Sequence, residues 1–299
     1  MIKSFEEIYA KVAAMPKKRL VAAWAVDDHT IGAAAMAVQK GLIDATLVGN
    51  QEMIKKVCAD EKIDMSIFRI VDIADETKAV ATAVELINAG EGDILMKGLC
   101  STDKYMRAIL NKEKGLLPPK AVLSHVTVVS APTYPKLLVV GDVAVIPAPD
   151  FNQKVAITNY VIKVAHSLGI EKPKVAILAA TEQMLQGMPA CVEAAMIAKM
   201  ADRGQIKGAH VDGPLALDVA IDKESADIKK LSGAVAGDAD GIVFPNIESG
   251  NVFFKTVTKL AKGELAAMVM GAKVPCVLTS RGDSTKSKLN SIALAALSA

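Results

Sequence analysis

Residues 274–297 read VPCVLTSRGDSTKSKLNSIALAAL and join a strand, a turn and a helix in one short segment. The run from Val274 to Leu278 is apolar, as in a buried strand, and it stops at a dense polar cluster. Gly282 permits a tight turn within that cluster, because glycine lacks a side chain. The mainly apolar residues from Lys288 to Leu297 then predict a closing helix.

The polar cluster between strand and helix suits the binding of an anion. Backbone N–H groups at a helix N-terminus point outward, and the guanidinium of Arg281 and nearby hydroxyls can join them. The alternative is a capped loop with a solvated arginine, because many α/β proteins carry such a loop without using it.

The same alternation of strands and helices continues along the chain. Predicted strands lie at 19–25, 45–48, 68–71, 93–96, 121–129, 137–146, 175–179, 208–211, 241–244 and 276–279. Predicted helices lie at 5–15, 27–40, 51–60, 75–89, 104–110, 152–168, 188–200, 223–231 and 251–260. Short strands that alternate with longer helices are typical of βαβ units, so the sequence predicts the α/β class with mainly parallel sheets.

Proline-containing segments between residues 117 and 149 interrupt this alternation and predict a division into two lobes. If the closing helix packs back on the first lobe, that lobe is discontinuous. We therefore expect one lobe from 1–136 plus 280–299 and a second from 137–279. A cleft between two such lobes is a usual place for a ligand.

Composition excludes several classes of function. The chain has 299 residues and a formal charge of only +2, which gives no argument for nucleic acid as a partner. No apolar run approaches the roughly 20 residues of a membrane span, and the first residues lack the apolar core of a signal peptide. The four cysteines are widely separated, so we expect buried, reduced thiols in a cytoplasmic protein.

Two polar clusters follow strands in the first half of the chain. Lys97, Gly98, Ser101 and Thr102 provide a turn, two hydroxyls and a cation, with Arg107 about one helical turn further on. An ordinary helix cap by Ser101 or Thr102 with a solvated Arg107 is the alternative. Ser124 and His125 form the second cluster, where a hydrogen-bonded core histidine is the alternative to a catalytic one.

Two further clusters follow strands in the second half. His210, Asp212, Gly213 and Pro214 combine an acid with a turn sequence, and turn chemistry alone explains Asp-Gly-Pro. Asn246 and Asn251 lie on either side of Gly250 and serve either as ligand contacts or as braces of a structural loop. The sequence contains no GxGxxG, GxxxxGK[ST], HExxH or GxSxG motif and no cysteine or histidine spacing typical of a metal site. The clusters therefore suggest anion binding without a metal.

Taken in order, these segments resemble the phosphate acetyl/butyryl transferases, and the butyryl branch more closely. The matching segments are Met96–Gly98 through Thr102 with Arg107, Val211–Leu215 with Asp218, Phe244–Asn246 with Gly250, Asn251 and Lys255, and Ser280–Gly282. The resemblance implies two αβα lobes of the isocitrate/isopropylmalate dehydrogenase type, an active site in the cleft between them, and a homodimer. It also implies that acyl-CoA and inorganic phosphate are converted reversibly to acyl phosphate and CoA, with no bound cofactor.

The resemblance also implies roles for individual residues. Ser280 would contact the thiol or the oxyanion, and Arg281 would face the charge of the acyl phosphate. Lys97, Ser101, Thr102 and Arg107 would hold phosphate, and the other predicted substrate-binding residues are Ser124, His125, Asp212, Asn246 and Asn251. Ser284, Lys286 and Lys288 would meet CoA, although the two lysines are explained equally well as a solvated pair at a helix start.

One departure from the family concerns the base that accepts the thiol proton. The acetyl branch carries a carboxylate seven residues beyond the serine of its Ser-Arg-Gly segment, and Ser287 occupies that position here. We expect Asp283 to substitute, with Asp212 or His125 as alternatives.

Three other functions compete with butyryl transfer. An acetyl-specific transferase would share the mechanism, since acyl selectivity depends on pocket volume. An oxidative decarboxylase of the same fold would need metal-binding aspartates and a nicotinamide loop, which the sequence does not display. A non-catalytic protein that binds a small anion between two lobes would release no CoA.

Overall fold

The computed structural model describes residues 1–279 and 283–299. The strands are β1 (Lys18–Ala23), β2 (Ile43–Gly49), β3 (Arg69–Asp72), β4 (Ile94–Lys97), β5 (Ser124–Ser130), β6 (Leu138–Gly141), β7 (Lys174–Leu178), β8 (His210–Leu215), β9 (Gly241–Val243), β10 (Glu264–Met270) and β11 (Cys276–Val277). The helices are α1 (Phe5–Ala13), α2 (Asp28–Gln39), α3 (Gln51–Asp60), α4 (Glu76–Asn88), α5 (Thr102–Leu110), α6 (Phe151–Ser167), α7 (Pro189–Asp202), α8 (Leu217–Ile221), α9 (Lys223–Ile228), α10 (Ile247–Lys255) and α11 (Thr285–Ser298).

Polar side chains at helix N-termini fix where many of these helices begin. Asp27, Asn50, Asp75 and Asp150 each accept a hydrogen bond from the backbone N–H three residues later. These contacts satisfy donors that have no partner inside the helix. They place the starts of α2, α3, α4 and α6 directly after extended chain, as the sequence pattern predicts.

Contacts divide the chain into two compact units. The N-terminal unit comprises Phe5–Leu123 and Leu265–Ala299, and the central unit comprises Met1–Ser4 and Ser124–Glu264. These boundaries differ from the expected 136/137 and 279/280. Strand pairing explains both shifts, because β5 pairs with β6 in the central unit and β11 pairs with β4 in the N-terminal unit.

The N-terminal unit contains strands in the order β3-β2-β1-β4-β11-β10. All neighbours are parallel except β10 and β11, which are antiparallel. The core side chains Leu20, Ile43 and Ile94 are fully buried. The expected α/β class with a mainly parallel sheet is therefore confirmed.

Helix α11 is buried on nearly all sides, since every residue from Lys288 to Leu297 is buried. The helix packs on α1 and α2. Its polar residues also bond to β10: Asn290 Nδ2 donates to the Leu265 carbonyl at 3.2 Å, and Ser291 Oγ accepts from the Ala267 N–H at 2.9 Å. The closing helix thus belongs to the interior of the N-terminal unit.

The central unit contains strands in the order β5-β6-β9-β7-β8, parallel except for β5 and β6. The predicted strand 137–146 is wrong in its second half, because β6 ends at Gly141. The Asp142 carboxylate accepts from the N–H groups of Ala144 and Val145 at 2.7 and 2.9 Å and turns the chain there.

Helix α8 and strand β10 were not predicted, and α10 begins at Ile247 rather than at residue 251. Across the described residues, no helix combines the length and apolar character that a membrane crossing requires.

Candidate functional site

The carboxyl-terminal ends of β1, β4 and β11 form the natural place for a site in the N-terminal unit. The chain leaves β1 towards β2 and β3 on one side and then returns to β4 on the other side. The strand order therefore reverses between β1 and β4. Ligands of open α/β sheets bind outside the carboxyl ends of the strands at such a reversal.

Gly98 lies at this reversal in close contact with the end of β1. Its N–H donates to the Ala23 carbonyl at 2.9 Å, and the Leu99 N–H donates to the Trp24 carbonyl at 3.0 Å. A Cβ atom at position 98 would lie 2.3 Å from the Trp24 carbonyl oxygen. Glycine is required here by the approach of two backbones.

Trp24, at the end of β1, has a φ of +55°. That conformation is rare for a bulky residue and marks local backbone strain. Strain of this kind is concentrated at functional sites, although sequence reasoning gave Trp24 no role.

Lys97 is a buried cation at the end of β4. The residue is only 3% exposed, and Nζ donates to the Gly98 and Cys100 carbonyls at 3.1 and 2.9 Å. These bonds tie the ammonium to the turn that leads into α5. Lys97, the predicted phosphate ligand, is therefore a fixed and largely desolvated positive charge. Such a charge interacts with an anion more strongly than a solvated lysine does.

The other predicted phosphate ligands lie at the start of α5 and along it. Ser101 caps the helix, and its Oγ accepts from the Lys104 N–H at 3.2 Å. Thr102 is exposed at the first helical position. The Arg107 side chain is 79% exposed and pairs with Asp103, with Nε 3.0 Å from Oδ1. An exposed pair of this kind contributes little stability, so the guanidinium is accessible for another anion.

Two predicted catalytic residues, Ser280 and Arg281, lie outside the described residues. Asp283, just after them, is half-buried. Ser284 caps α11, with Oγ accepting from the Ser287 N–H at 3.2 Å.

Lys286 and Lys288 differ sharply in their surroundings. Lys286 is exposed, whereas Lys288 is 5% exposed and its Nζ donates to Thr279 Oγ1 at 3.0 Å. Burial lowers the pKa of the Lys288 ammonium, and the carboxylates of Asp27, Asp283 and Asp28 partly oppose that shift. The two lysines are therefore not a solvated pair.

The N-terminus of α2 contributes polar groups that sequence reasoning took only as a helix start. Asp27 Oδ1 caps the helix, while Oδ2 is buried with no hydrogen-bond partner in the described part of the chain. His29 Nδ1 lies 3.2 Å from Thr285 Oγ1 on α11. The run Asp27-Asp28-His29 directly after a buried strand was the available signal for this part of the site.

Ser124 and His125 lie at the start of β5 in the central unit, and both are buried. Ser124 Oγ and the His125 N–H donate to Asp142 Oδ2 at 3.0 and 3.1 Å. His125 Nδ1 lies 3.1 Å from Thr127 Oγ1. Asp142, which sequence reasoning missed, holds β5 to the turn after β6, so these contacts favour a structural role for Ser124 and His125.

Asp212 is half-buried on β8 and helps to line a cavity of about 400 Å³ with Lys172, Asp202 and His210. Its Oδ1 accepts from the Gly213 N–H at 2.8 Å. The cavity makes Asp212 accessible from one side, in contrast to the buried Ser124 and His125.

The two asparagines are engaged with α10 and its surroundings. Asn246 caps the helix by accepting from the Ser249 N–H at 3.0 Å, and Asn251 Nδ2 donates to the Val143 carbonyl at 3.1 Å. Both hydrogen bonds stabilise the loop and the start of α10, so they favour a structural role for Asn246 and Asn251 over ligand binding.

Burial makes two cysteines poor nucleophiles. It raises the pKa of the Cys100 thiol to about 11 and that of Cys276 to about 12. Neither is a thiolate near neutral pH, so neither suits the formation of an acyl-enzyme. No group of three or more His, Cys, Asp or Glu side chains within residues 1–279 and 283–299 could hold a metal ion.

The N-terminal unit therefore places two buried ammonium groups and the N-termini of α2, α5 and α11 at the carboxyl ends of neighbouring parallel strands. Helix N-termini and desolvated cations both favour negative charge. The arrangement suits phosphate or a carbonyl oxygen that becomes negative during a reaction.

Comparisons with known proteins agree with this chemistry. A family model described as phosphate acetyl/butaryl transferase matches residues 4–82 and 75–296. The phosphate butyryltransferase of Clostridium acetobutylicum is 45% identical over 99% of this chain and 98% of its own length. The solved structure of a branched-chain phosphotransacylase from Enterococcus faecalis has a TM-score of 0.82 at 30% identity, covering 94% of this chain and 98% of that one.

A more distant solved structure bears on the fold alone. A 4-hydroxythreonine-4-phosphate dehydrogenase from Klebsiella pneumoniae has a TM-score of 0.55 at 12% identity, covering 94% of this chain and 98% of that one. The expected dehydrogenase-like fold is confirmed by this likeness.

Proposed function

The chain belongs to the phosphate acetyl/butaryl transferase family, and we propose that it reversibly transfers a butyryl group between coenzyme A and inorganic phosphate. The observation that carries the proposal is the 45% identity to a phosphate butyryltransferase over almost the whole of both chains. The buried cations at the strand ends of the N-terminal unit support it, because both substrates and the transition state are anionic.

The reaction needs no covalent intermediate on the protein. In the direction that consumes phosphate, a phosphate oxygen attacks the carbonyl carbon of butyryl-CoA and the CoA thiolate leaves. In reverse, the CoA thiol attacks the carbonyl carbon of butyryl phosphate: the S–C bond forms, the C–O bond to phosphate breaks, and the thiol proton passes to a base. The raised thiol pKa values of Cys100 and Cys276 are consistent with direct transfer between two bound substrates.

Each proposed role follows the charge that develops. Ser280 stabilises the attacking thiol or the oxyanion, and Arg281 neutralises the acyl phosphate. Lys97, Ser101, Thr102 and Arg107 hold the departing phosphate. Preorganised donors to the charge that develops at the reacting carbonyl, the role proposed for Ser280 and Arg281, are each worth about 10²–10³ in kcat.

Asp283 remains our proposed proton acceptor. An ordinary thiol has a pKa of about 8.5, so a base is needed near neutral pH. Asp283 follows Ser280 closely in the chain and is half-buried. Asp212, beside its cavity, is the alternative, whereas His125 is less suitable because it is buried, at 6% exposure.

Coenzyme A is a co-substrate in this proposal, with the exposed Ser284 and Lys286 as its contacts at the start of α11. The cytoplasmic location and the homodimer remain predictions.

Phosphate-dependent release of CoA from acetyl-, propionyl-, butyryl- and valeryl-CoA tests the proposal, with a thiol reagent as the readout and omission of phosphate as the control. We expect a maximum in kcat/KM at four carbons. One methylene contributes about 1–3 kcal/mol of discrimination, so neighbouring acyl groups should differ measurably. A maximum at two carbons would instead identify an acetyltransferase, which the family description also names. If none of the four acyl-CoA compounds released CoA, the remaining interpretation would be a non-catalytic protein that binds a small anion.

A further inference from the structure

Lys288 is buried in the first turn of α11, yet it carries an ammonium group. It is 5% exposed, and among residues 1–279 and 283–299 its hydrogen-bond partner is the neutral hydroxyl of Thr279, 3.0 Å from Nζ. Thr279 is also 5% exposed. Burying an ammonium is costly unless it is paired, so a lysine in such a place needs an explanation.

Two other lysines with largely buried side chains have carboxylate partners in direct contact. Lys154 pairs with Glu193, and Lys136 contacts Asp240 with Nζ 2.6 Å from Oδ1. No described carboxylate lies within 4.0 Å of Lys288 Nζ. Asp27, Asp283 and Asp28 act on it from further away. Pairing for stability therefore does not account for this charge.

The position of Thr279 connects Lys288 to the proposed chemistry. Thr279 directly precedes Ser280, and it lies two residues beyond the last residue of β11. Val277 of β11 is paired with Met96 of β4, whose next residue is the buried Lys97. Two buried ammonium groups thus stand at the ends of two neighbouring parallel strands.

We propose that Lys288 is a positioning residue for acyl transfer, which holds Thr279 and thereby the strand end before Ser280, and adds a fixed positive charge there. The inference rests on the proposed function. In the transfer step the carbonyl oxygen gains negative charge as the thiol adds, and it loses that charge as phosphate leaves. A desolvated cation stabilises this charge without reorganising, and Lys288 keeps its own protons throughout.

This role differs from a contact with the phosphates of CoA and from a purely structural role. A CoA contact would affect the KM for CoA. A structural role would lower stability and activity together. The proposed role lowers kcat, because it acts on the transition state.

The test compares Lys288→Met with Lys286→Met, a substitution of the exposed lysine two residues away. Each variant is assayed in the direction that consumes butyryl phosphate, with either CoA or CoA that lacks the 3′-phosphate as the thiol. Methionine approximates the length of the side chain, and replacing a buried charge by an apolar group is often neutral or stabilising. We expect Lys288→Met to keep or raise the melting temperature and to lose kcat by about 10²-fold, equally with both thiols. Lys286→Met should instead raise the KM for intact CoA.

Thr279→Val supplies a second test, because it nearly preserves the side-chain volume and removes the hydroxyl that accepts from Lys288. We expect a smaller loss of kcat, and the double variant Thr279→Val/Lys288→Met should be no worse than Lys288→Met alone, since the two residues act as one unit. Lys288→Arg should recover part of the activity.

Several results would overturn the inference. Wild-type kcat in Thr279→Val would do so even if Lys288→Met did not fold. If Lys288→Met only raised the KM for intact CoA and left kcat unchanged, Lys288 would be a contact of CoA instead. If the wild-type protein itself released no CoA, the proposed function would fail first, and the two failures are therefore distinct.

Discussion

A Cβ atom on Gly98 would lie 2.3 Å from the carbonyl oxygen of Trp24, because the chain after β4 packs directly on the end of β1. Both sides of this contact are backbone, so neither can move aside as a flexible side chain could. Gly98→Ala should therefore lower the free energy of unfolding by about 1–3 kcal/mol, as overpacking does elsewhere. It should also reduce turnover by displacing Lys97. Chemical denaturation and the CoA-release assay measure the two effects.

Gly187→Ala is the matched control for Gly98→Ala. A Cβ atom there meets nothing within 4 Å. We expect its free energy of unfolding to stay within about 0.5 kcal/mol of wild type. Equal stability of the two variants would contradict the close contact between Gly98 and Trp24.

Arg281→Ala should lower kcat/KM for butyryl phosphate by about 10²–10³, since it removes a charge that the proposal places on the acyl phosphate. Arg281→Lys should retain only part of the activity, because a point charge cannot reproduce the paired donors of a guanidinium. The exposed Arg203→Ala is the control and should behave as wild type. Full activity in Arg281→Ala would contradict the proposed role of Arg281 in neutralising the charge of the acyl phosphate.

Arg107→Ala should raise the KM for phosphate while leaving kcat largely intact. A hydrogen bond to a charged group contributes about 1.5–3 kcal/mol, and the 79% exposure of Arg107 favours the lower end, about tenfold in KM. Steady-state kinetics at varied phosphate concentration measure the change. Lys112→Ala, another exposed cation beyond α5, serves as the control. An unchanged KM for phosphate would mean that Arg107 does not bind phosphate and only forms its surface ion pair with Asp103.

The sequence predicted the elements of the N-terminal unit well where local signals agree. Strands β1, β2 and β4 are short buried runs, and each is followed by a residue that caps the next helix, as Ser101 does for α5. Strand β10 was missed, because Glu264–Met270 is rich in alanine and methionine and has a single β-branched residue. Its conformation depends on pairing with β11, at Val269 and Cys276, which no local pattern shows.

The candidate site was predicted in its residue types but less well in their surroundings. Lys97 and Lys288 were both proposed as ligand contacts, yet sequence spacing did not show that each is buried. Asp142 was missed because its role depends on donors from β5 and from the turn after β6. Non-local contacts of this kind decide whether a polar residue binds a ligand or stabilises the fold.

The ion pair of Asp93 with Arg19 makes the fold sensitive to acid. Hydrogen bonding to the Arg19 guanidinium lowers the pKa of the Asp93 carboxyl group, against the opposing effect of burial. Arg19 Nε and Nη2 donate to Asp93 Oδ2 and Oδ1 at 3.0 and 2.8 Å. A carboxyl group whose pKa is lower in the folded state stabilises the fold above its unfolded pKa of about 3.9. That contribution is lost as the pH falls through the folded pKa.

Asp93→Asn should therefore be less stable than wild type at pH 7, by at most about 1 kcal/mol because the pair is partly exposed. The difference should begin to shrink as the pH falls below about 4, because the Asp93 carboxyl of the unfolded state takes up its proton first, and it should be lost once the pH is below the lower folded pKa. Unfolding free energies of both proteins between about pH 7 and pH 2 provide the measurement. The exposed Asp60→Asn is the control and should stay close to wild type at pH 7. A difference between Asp93→Asn and wild type that stayed constant across this range would mean that Asp93 acts through hydrogen bonding alone, without its charge.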